Sequence, residues 1–419
     1  MLETLSILGI ILLALLGTPL FIVMGLAALT AFSFAGIEVS AVAVELYRIS
    51  SAPTLLTIPL FTFAGYMMAE SKSPQRLLHL TEALLGWIPG GVAIVGLVVC
   101  AFFTAFTGAS GVTIIALGGL LYPILTKEGY SEKFSLGLIT TSGSLGLLFP
   151  PSLPIILYGL VAKVDIDKLF MAGILPGILL IVILSLWSIK NGRQITARKK
   201  FNTREVLIAL KGSYLEALLP VGVLVGIYGG FTTPSEAAAM TAFYIFIIEV
   251  FIYKDLSLTK DIPKVVLDSM ALVGAILLIL CCALGLTNFL VDEEVPMAIL
   301  EFMRHWLTNK YTFLIFLNIF LLIVGAMMDI FSAIIVVVPL ILPIAREFDV
   351  HPIHLAIIFL TNLEIGYITP PVGINLFISS FRFDKPVTEL YRASFPFLLL
   401  LLLALIIITY VPILSLAWI

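Results

Sequence analysis

The chain has 419 residues, of which 61% are hydrophobic and 12% are charged, and its formal net charge is −3. Soluble domains carry about 25% charged residues, so most of this surface must face lipid. The composition therefore excludes a soluble domain and predicts a polytopic membrane protein. Its basic residues are scattered among loops, which excludes a nucleic-acid-binding protein.

The first half of the chain contains apolar segments near residues 5–36, 53–70, 88–125, 134–161 and 170–189. A single helical span needs about 20 residues, and segment 88–125 is too long for one. Because small residues interrupt it at Gly108–Gly111, we predict a re-entrant hairpin over 88–125. The amphipathic stretch Ser73–Trp87 precedes this hairpin and is predicted to lie along the inner membrane interface.

Segment 134–161 contains two consecutive prolines, Pro150 and Pro151. Two prolines remove two backbone donors and bend a helix, so carbonyl groups are left for protein, water or an ion to satisfy. We therefore predict a broken helix over 134–161, which completes a first repeat at residues 1–189.

The connection between the two halves, residues 190–214, is rich in lysine and arginine. The positive-inside rule predicts that this basic linker is cytoplasmic. Counting spans from the linker places both feet of the first hairpin inside. The same count places the feet of the second hairpin, at 291–311 and 346–352, outside.

The second half, residues 215–419, repeats the first with a constant shift of 220 residues (370 minus 150). This shift relates Pro150, Pro151, Gly146 and Pro123 to Pro370, Pro371, Gly366 and Pro343. It predicts a second re-entrant hairpin over 312–345 and a second broken helix over 353–380. The predicted fold is an all-α membrane protein with two inverted repeats, of the elevator type, in which the flanking spans stay fixed. Broken helices at matching positions indicate the binding site of a secondary transporter.

Small residues and hydroxyl groups at the hairpin tips predict sodium sites, because glycines expose the backbone carbonyls that a small cation needs. The first predicted site comprises Gly108, Ala109, Ser110, Ser142, Gly143 and Ser144. The second comprises Met328, Asp329, Gly366, Thr369 and Gly373. The residues predicted to contact substrate are Thr107, Ser152, Asn362 and Asn375.

Other interpretations of these motifs exist. The small residues also suit helix packing, and Asp329 and Glu364 also suit contacts at helix ends. The sequence GASG at 108–111 has the form found around the serine of rhomboid-type intramembrane proteases, with Ser110 as nucleophile. The four histidines argue against that enzyme, because none stands in a small-residue context that allows close helix approach. No Walker-type motif occurs, so the chain has no P-loop with which to use ATP.

Several motifs in this order resemble the large membrane subunit of the tripartite ATP-independent periplasmic (TRAP) transporters. They are IPLF at 58–61 with AG at 64–65, GASGVT at 108–113, LGLLFPPS at 145–152 with YG at 158–159, AGILPG at 172–177, and the stretches 229–239 and 362–373. The matching segments span nearly the whole chain.

The resemblance implies a sodium-driven importer of organic acids in the bacterial inner membrane, with a fixed scaffold and a moving transport domain. Such subunits work with a small four-helix membrane subunit and a soluble substrate-binding protein in the periplasm. The resemblance implies no enzymatic activity. The alternative is a self-sufficient sodium/carboxylate symporter of similar architecture.

The chain departs from the family pattern in both hairpins. The first hairpin of the family usually reads like SGSSAAT, whereas this chain has Thr107, Ala109 and Gly111 there. A side-chain ligand at position 109 is therefore lost, and an ion must rely on backbone oxygens and Ser110. Ser332 stands where family members often carry proline shortly after the hairpin aspartate.

Overall fold

The computed structural model describes residues 2–36, 38, 47, 53–88, 90–192, 201–295, 297–298, 301 and 309–419. Every regular element in these ranges is helical. The helices up to the basic linker are α1 (Leu2–Leu15), α2 (Leu20–Phe34), α3 (Thr57–Glu70), α4 (Ser73–Leu85), α5 (Gly91–Thr107), α6 (Ser110–Lys127), α7 (Glu132–Ser142), α8 (Leu153–Ala162) and α9 (Ile166–Gly192).

The helices after the linker are α10 (Thr203–Tyr228), α11 (Pro234–Ile247), α12 (Asp261–Asp292), α13 (Lys310–Met327), α14 (Ile330–Glu347), α15 (Pro352–Gly366), α16 (Ile374–Phe383), α17 (Val387–Tyr410) and α18 (Ile413–Leu416). A π-helical turn, Ile248–Ile252, extends α11. Within the described ranges, eight helices are long and apolar enough to cross a membrane, or nine if a bent pair counts as one span. The predicted all-helical, polytopic fold is confirmed.

Both predicted hairpins are interrupted where the sequence indicated. In the first, α5 ends at Thr107. Gly108 follows with a φ of 63°, in the left-handed region that favours glycine, and Ala109 is extended before α6 begins. In the second, Met328 and Asp329 are both extended between α13 and α14. Ala109 and Asp329 are the N-cap residues of equivalent helices, separated by the repeat shift.

Both predicted helix breaks are also present. Helix α7 ends at Ser142, a 3-10 turn covers Leu145–Leu148, and α8 leaves the break at an angle of 44°. Helix α15 ends at Gly366, and α16 begins after Gly373, which has a φ of 58°. The double prolines lie inside these breaks, where their missing N–H groups prevent a continuous helical ladder.

The helices pack in two groups, which also contact each other through α3 with α5 and through α12 with α14. In the first group, called the scaffold body, α12 packs against α2 and α3, α11 against α3, and α10 against α4. The second group, called the hairpin body, contains both hairpins and both broken helices, and α9 and α17 pack within it. The spans α9 and α17, each of which follows a broken helix, therefore pack with the hairpins. The sequence had predicted them to be stationary flanking spans.

A salt bridge connects the two repeats within the hairpin body. The Nζ of Lys385 lies 2.5 Å from the Glu132 carboxylate, which also accepts a hydrogen bond from Tyr122 at 2.8 Å. The hydrogen bond to Glu132 raises the pKa of Lys385. Glu132 begins α7 of the first repeat, and Lys385 precedes α17 of the second.

Helical structure extends into both ends of the predicted basic linker, 190–214. Helix α9 extends to Gly192 and α10 already begins at Thr203, inside the predicted range 190–214. Residues 193–200 of that range lie outside the described residues, as do residues 296, 299–300 and 302–308 of the outer foot at 291–311.

Candidate functional site

The first hairpin tip lies directly against the first helix break. A Cβ atom on Gly143 would stand 3.3 Å from the Ser110 carbonyl oxygen, so glycine permits this close approach. Thr104 donates a hydrogen bond to the Gly143 carbonyl at 2.8 Å and shares another with Thr113 at 2.7 Å. The structure thus brings together the two segments predicted to form the first sodium site.

The serine hydroxyls of this break donate to backbone carbonyls three residues earlier in the chain. Ser142 donates to the carbonyl of Ile139 at 3.2 Å, and Ser144 lies 3.4 Å from the carbonyl of Thr141. Both side chains are buried. Their oxygen lone pairs, together with the carbonyls left free by the break, are the kind of ligands that sodium takes in broken-helix transporters.

The first hairpin tip also reaches the second repeat. Ser110 donates a hydrogen bond to Asn375 Oδ1 at 2.7 Å, and Asn375 Nδ2 donates to the Thr140 carbonyl at 3.2 Å. Thr140 donates in turn to Ser379 at 2.9 Å. The sequence analysis did not identify Thr140 and Ser379 as members of this polar chain. The four-residue spacing of Asn375 and Ser379 puts both on one helix face and could have indicated Ser379.

The second hairpin tip lies against the second break. The Gly373 amide donates to the Ala326 carbonyl at 3.1 Å, and the Ile330 amide donates to the Tyr367 hydroxyl at 2.8 Å. A Cβ atom on Gly366 would stand 2.5 Å from Gly325 Cα. Met328, Asp329, Gly366 and Gly373 therefore gather in one region.

Within that region, Asp329 is the N-cap of α14. Its carboxylate accepts the amides of Phe331 and Ser332, both at 3.0 Å, and the Ser332 hydroxyl. The helix-end contact considered for Asp329 is therefore present. Thr369 donates to the Ile365 carbonyl at 2.8 Å, which leaves its oxygen lone pairs free.

The four predicted substrate residues differ in setting. Asn375 belongs to the polar chain at the first tip, and Thr107 ends α5 beside that tip. Ser152 is buried, with no hydrogen-bond partner for its hydroxyl among the described residues. Asn362 instead donates to Asn318 Oδ1 at 2.7 Å and to the Ile358 carbonyl at 2.8 Å, which ties α15 to α13.

The two breaks touch at equivalent positions. Ser144 Oγ lies 3.5 Å from the Glu364 carbonyl oxygen, and these residues are separated by the repeat shift of 220. The pseudo-two-fold axis that relates the two repeats therefore passes close to the two helix breaks. The Glu364 carboxyl group is fully buried there, and neither of its oxygens has a hydrogen-bond partner in the described part of the chain.

The protease interpretation requires a histidine as the base for Ser110. Its hydroxyl hydrogen goes to Asn375 instead. His354 is held by Ser415 at 3.2 Å and by the Thr409 carbonyl at 3.2 Å.

Comparison with known proteins identifies the family of this chain. The family described as "Tripartite ATP-independent periplasmic transporter, DctM component" matches residues 7–414. The C4-dicarboxylate TRAP transporter large permease protein DctM of Pseudomonas aeruginosa is 36% identical over 392 residues, which cover 93% of this chain and 92% of that protein. Its counterpart in Rhodobacter capsulatus is 34% identical, with 97% and 96% covered. The chain belongs to the DctM family.

Two further comparisons concern size and fold. The isethionate TRAP transporter permease protein DctMQ of Oleidesulfovibrio alaskensis is 37% identical, and the match covers 94% of this chain but 63% of that protein. The YdaH transporter of Alcanivorax borkumensis shares the fold with a TM-score of 0.63 and 14% identity, over 90% of this chain and 88% of that one. This DctM-family chain is thus a multi-pass transport protein of the bacterial inner membrane, as the sequence predicted.

Proposed function

We propose that this DctM-family chain is the permease of a sodium-driven importer that moves an organic acid anion of the carboxylate or sulfonate class into the cell. The observation that carries the proposal is the meeting of each hairpin tip with its helix break, joined across the repeats by Ser110 and Asn375. Relatives named for C4-dicarboxylate, isethionate and 2,3-diketo-L-gulonate support the substrate class.

Sodium is the proposed coupling ion at both tips. At the first tip, Ser110, Ser142 and Ser144 would supply hydroxyl oxygens, and the backbone of Gly108, Ala109 and Gly143 would supply carbonyls. At the second, the Asp329 carboxylate and Thr369 would join the carbonyls of Met328, Gly366 and Gly373. Oxygen ligands of this kind, at broken helices, suit sodium.

The substrate is proposed to bind on the surface that joins the two tips. Thr369 is partly exposed and Val372 is 38% exposed, whereas Asn375 is buried. Thr107, Ser152 and Asn362 are buried and would contact substrate only if the tips part. An elevator motion is proposed to carry the hairpin body, with α9 and α17, past the scaffold body.

The proposed partners are a small four-helix membrane subunit and a periplasmic substrate-binding protein. The fused name DctMQ of the isethionate relative, and the part of that protein beyond the match, support the membrane partner. The binding protein would deliver the anion at the outer face.

Reconstitution in liposomes tests the proposal. We expect uptake of a C4-dicarboxylate, sulfonate or sugar acid only with an inward sodium gradient, the small subunit and the loaded binding protein. Replacing sodium by potassium at equal ionic strength is the control that shows whether uptake requires sodium itself or only a salt gradient. Uptake by this chain alone would favour the self-sufficient symporter, and uptake without any sodium gradient would refute sodium coupling.

A further inference from the structure

A buried group of charged side chains joins α4 to α10 and α11. Its residues lie outside both hairpin tips. This charge cluster comprises Ser73, Arg76, Glu216, Glu249 and Asp255. The Arg76 guanidinium lies 2.5 Å from Glu216, 3.1 Å from Glu249 and 2.5 Å from Asp255. Both glutamate side chains are fully buried. Three carboxyl groups therefore surround one guanidinium.

The Ser73 hydroxyl contacts both glutamates at once. Its Oγ lies 2.5 Å from Glu216 Oε1 and 2.9 Å from Glu249 Oε1. A hydroxyl has a single hydrogen to donate, and an ionised carboxylate has none. A proton on one of the two carboxyl groups would satisfy both contacts, because Ser73 could then donate to one glutamate and accept from the other.

The balance of charge leads to the same conclusion. The only other cation at the charge cluster among the described residues is Lys72, whose Nζ lies 3.7 Å from Asp255 and whose side chain is 75% exposed. Arg76 and this loosely placed lysine do not neutralise three buried carboxylates. Buried charge without a partner is strongly unfavourable, so a neutral acid is the better state.

We propose that Glu216 and Glu249 bind one shared proton, and that this proton holds α4 against α10 and α11 within the scaffold body. No established or proposed role of the chain assigns a site here. The proposal depends on the proposed transport function only where it concerns uptake. Because α4 leads through Gly86–Gly91 into the first hairpin, the charge cluster is the joint between the scaffold body and that hairpin.

The other titratable groups facing the charge cluster do not supply this proton. The Tyr253 ring lies under Arg76 at 4.0 Å, and its hydroxyl donates to the Gly212 carbonyl at 3.1 Å. Tyr244 donates to the Leu215 carbonyl at 2.9 Å, and Tyr214 is 45% exposed. On neighbouring helices, Glu70 pairs with Lys264 at 3.3 Å.

The sign of the pH effect follows from the proton. At low pH the proton is bound and α4 is docked. As pH rises and the proton leaves, a third negative charge appears beside one guanidinium, and docking weakens. A glutamine at position 249 would donate its amide hydrogen to Ser73 and imitate the protonated acid at every pH.

Infrared spectroscopy of the purified full chain tests for the proton directly. We expect an absorption band of a protonated carboxyl group that is lost in Glu249→Gln and also in Glu216→Gln. Glu364→Gln separates the contribution of Glu364, which is also buried. Glu205→Gln, on the exposed part of α10, is the matched control and should leave the band unchanged. A band unaffected by both cluster substitutions would overturn the proposal.

Hydrogen exchange of α4 tests the joint without any need for transport. After correction for intrinsic exchange and relative to α15, protection of α4 should fall by about tenfold per pH unit once the proton leaves, as linkage to one proton requires. In Glu249→Gln, protection should not change with pH. Equal pH dependence in the wild type and in Glu249→Gln would contradict the proposal. Ser73→Ala, which keeps all charges, provides a second variant if Glu249→Gln does not fold. Since neither measurement uses uptake, the proposed function can fail independently.

Discussion

At the scale of single residues, Ser110 connects the two repeats. Its hydroxyl donates to the buried Asn375, and its carbonyl lies against Gly143. The same side chain thus stabilises the tip and contributes an oxygen to the proposed first sodium site. The Ser110→Ala substitution removes both contributions.

We expect Ser110→Ala to raise the sodium concentration for half-maximal uptake by about fivefold to thirtyfold, which corresponds to a loss of about 1 to 2 kcal/mol. Ser188→Ala is a matched control, because Ser188 is also buried but donates only to the Leu184 carbonyl within α9. Uptake measured over a range of sodium concentrations decides the matter. An unchanged sodium requirement in Ser110→Ala would remove Ser110 from the site.

Asp329 has two roles that one substitution separates. Asparagine caps helices about as well as aspartate, so Asp329→Asn should keep the free energy of unfolding within about 1 kcal/mol of the wild-type value. The loss of negative charge should nevertheless raise the sodium requirement for uptake. Thermal unfolding in detergent and sodium titration of uptake measure the two effects. A normal sodium requirement would leave Asp329 as a helix cap alone.

At the scale of elements, the second hairpin depends on two glycines in contact. A side chain on Gly366 would overlap the backbone of Gly325, so Gly366→Ala should push α13 away from α15. We expect a loss of about 1 to 3 kcal/mol in the free energy of unfolding, together with reduced uptake.

Gly222→Ala is the control for that change, because a Cβ atom on Gly222 in α10 meets nothing within 4 Å. Its free energy of unfolding should equal or slightly exceed that of the wild type, because alanine favours a helix interior more than glycine does. If Gly366→Ala were equally stable, the close contact of α13 and α15 would not contribute to the site.

The double prolines keep each break open. Alanine at Pro150 and Pro151, or at Pro370 and Pro371, restores two backbone donors, which can capture the carbonyls that the ion needs. We expect uptake to fall while membrane insertion, followed by the amount of folded protein in the membrane, is retained. Normal sodium dependence in both double variants would refute this mechanism.

At the scale of the whole molecule, the proposed elevator requires the hairpin body to slide past the scaffold body. The Tyr228 hydroxyl of α10 donates to the Asp167 carbonyl of α9 at 3.1 Å, which is a contact between the bodies. After removal of Cys100, Cys281 and Cys282, a cleavable crosslinker between cysteines at positions 167 and 228 should abolish uptake. Cleavage of the crosslinker should restore it.

Thr57 and Ser235 provide the control pair, because their hydroxyl oxygens lie 3.0 Å apart inside the scaffold body. A disulfide between cysteines at these two positions should leave uptake intact. If the crosslink between the bodies also left uptake intact, a rigid-body elevator would be excluded, and local opening of the hairpins would be the better mechanism.

The sequence by itself determined the repeat, the hairpins and the breaks. Glycine at position 108 and the proline pairs act through their own backbone chemistry, so their effect is local and readable without neighbours. The same holds for the membrane class, since hydrophobic length is a property of the chain alone. The charge pattern of the linker did not show where the next helix begins, because the first turns of α10 carry charged residues and still form a helix.

Only the tertiary structure decided which polar groups meet. The contact of Ser110 with Asn375 spans 265 residues, and the charge cluster joins Arg76 to residues 140 to 179 positions away. No local pattern encodes such contacts, because they depend on how separate helices pack. The tertiary structure also placed α9 and α17 beside the hairpins. It likewise placed the Asn362 side chain within hydrogen-bond distance of Asn318. The sequence specified where the helices must break, whereas the long-range packing of those helices specified which side chains face one another at the breaks.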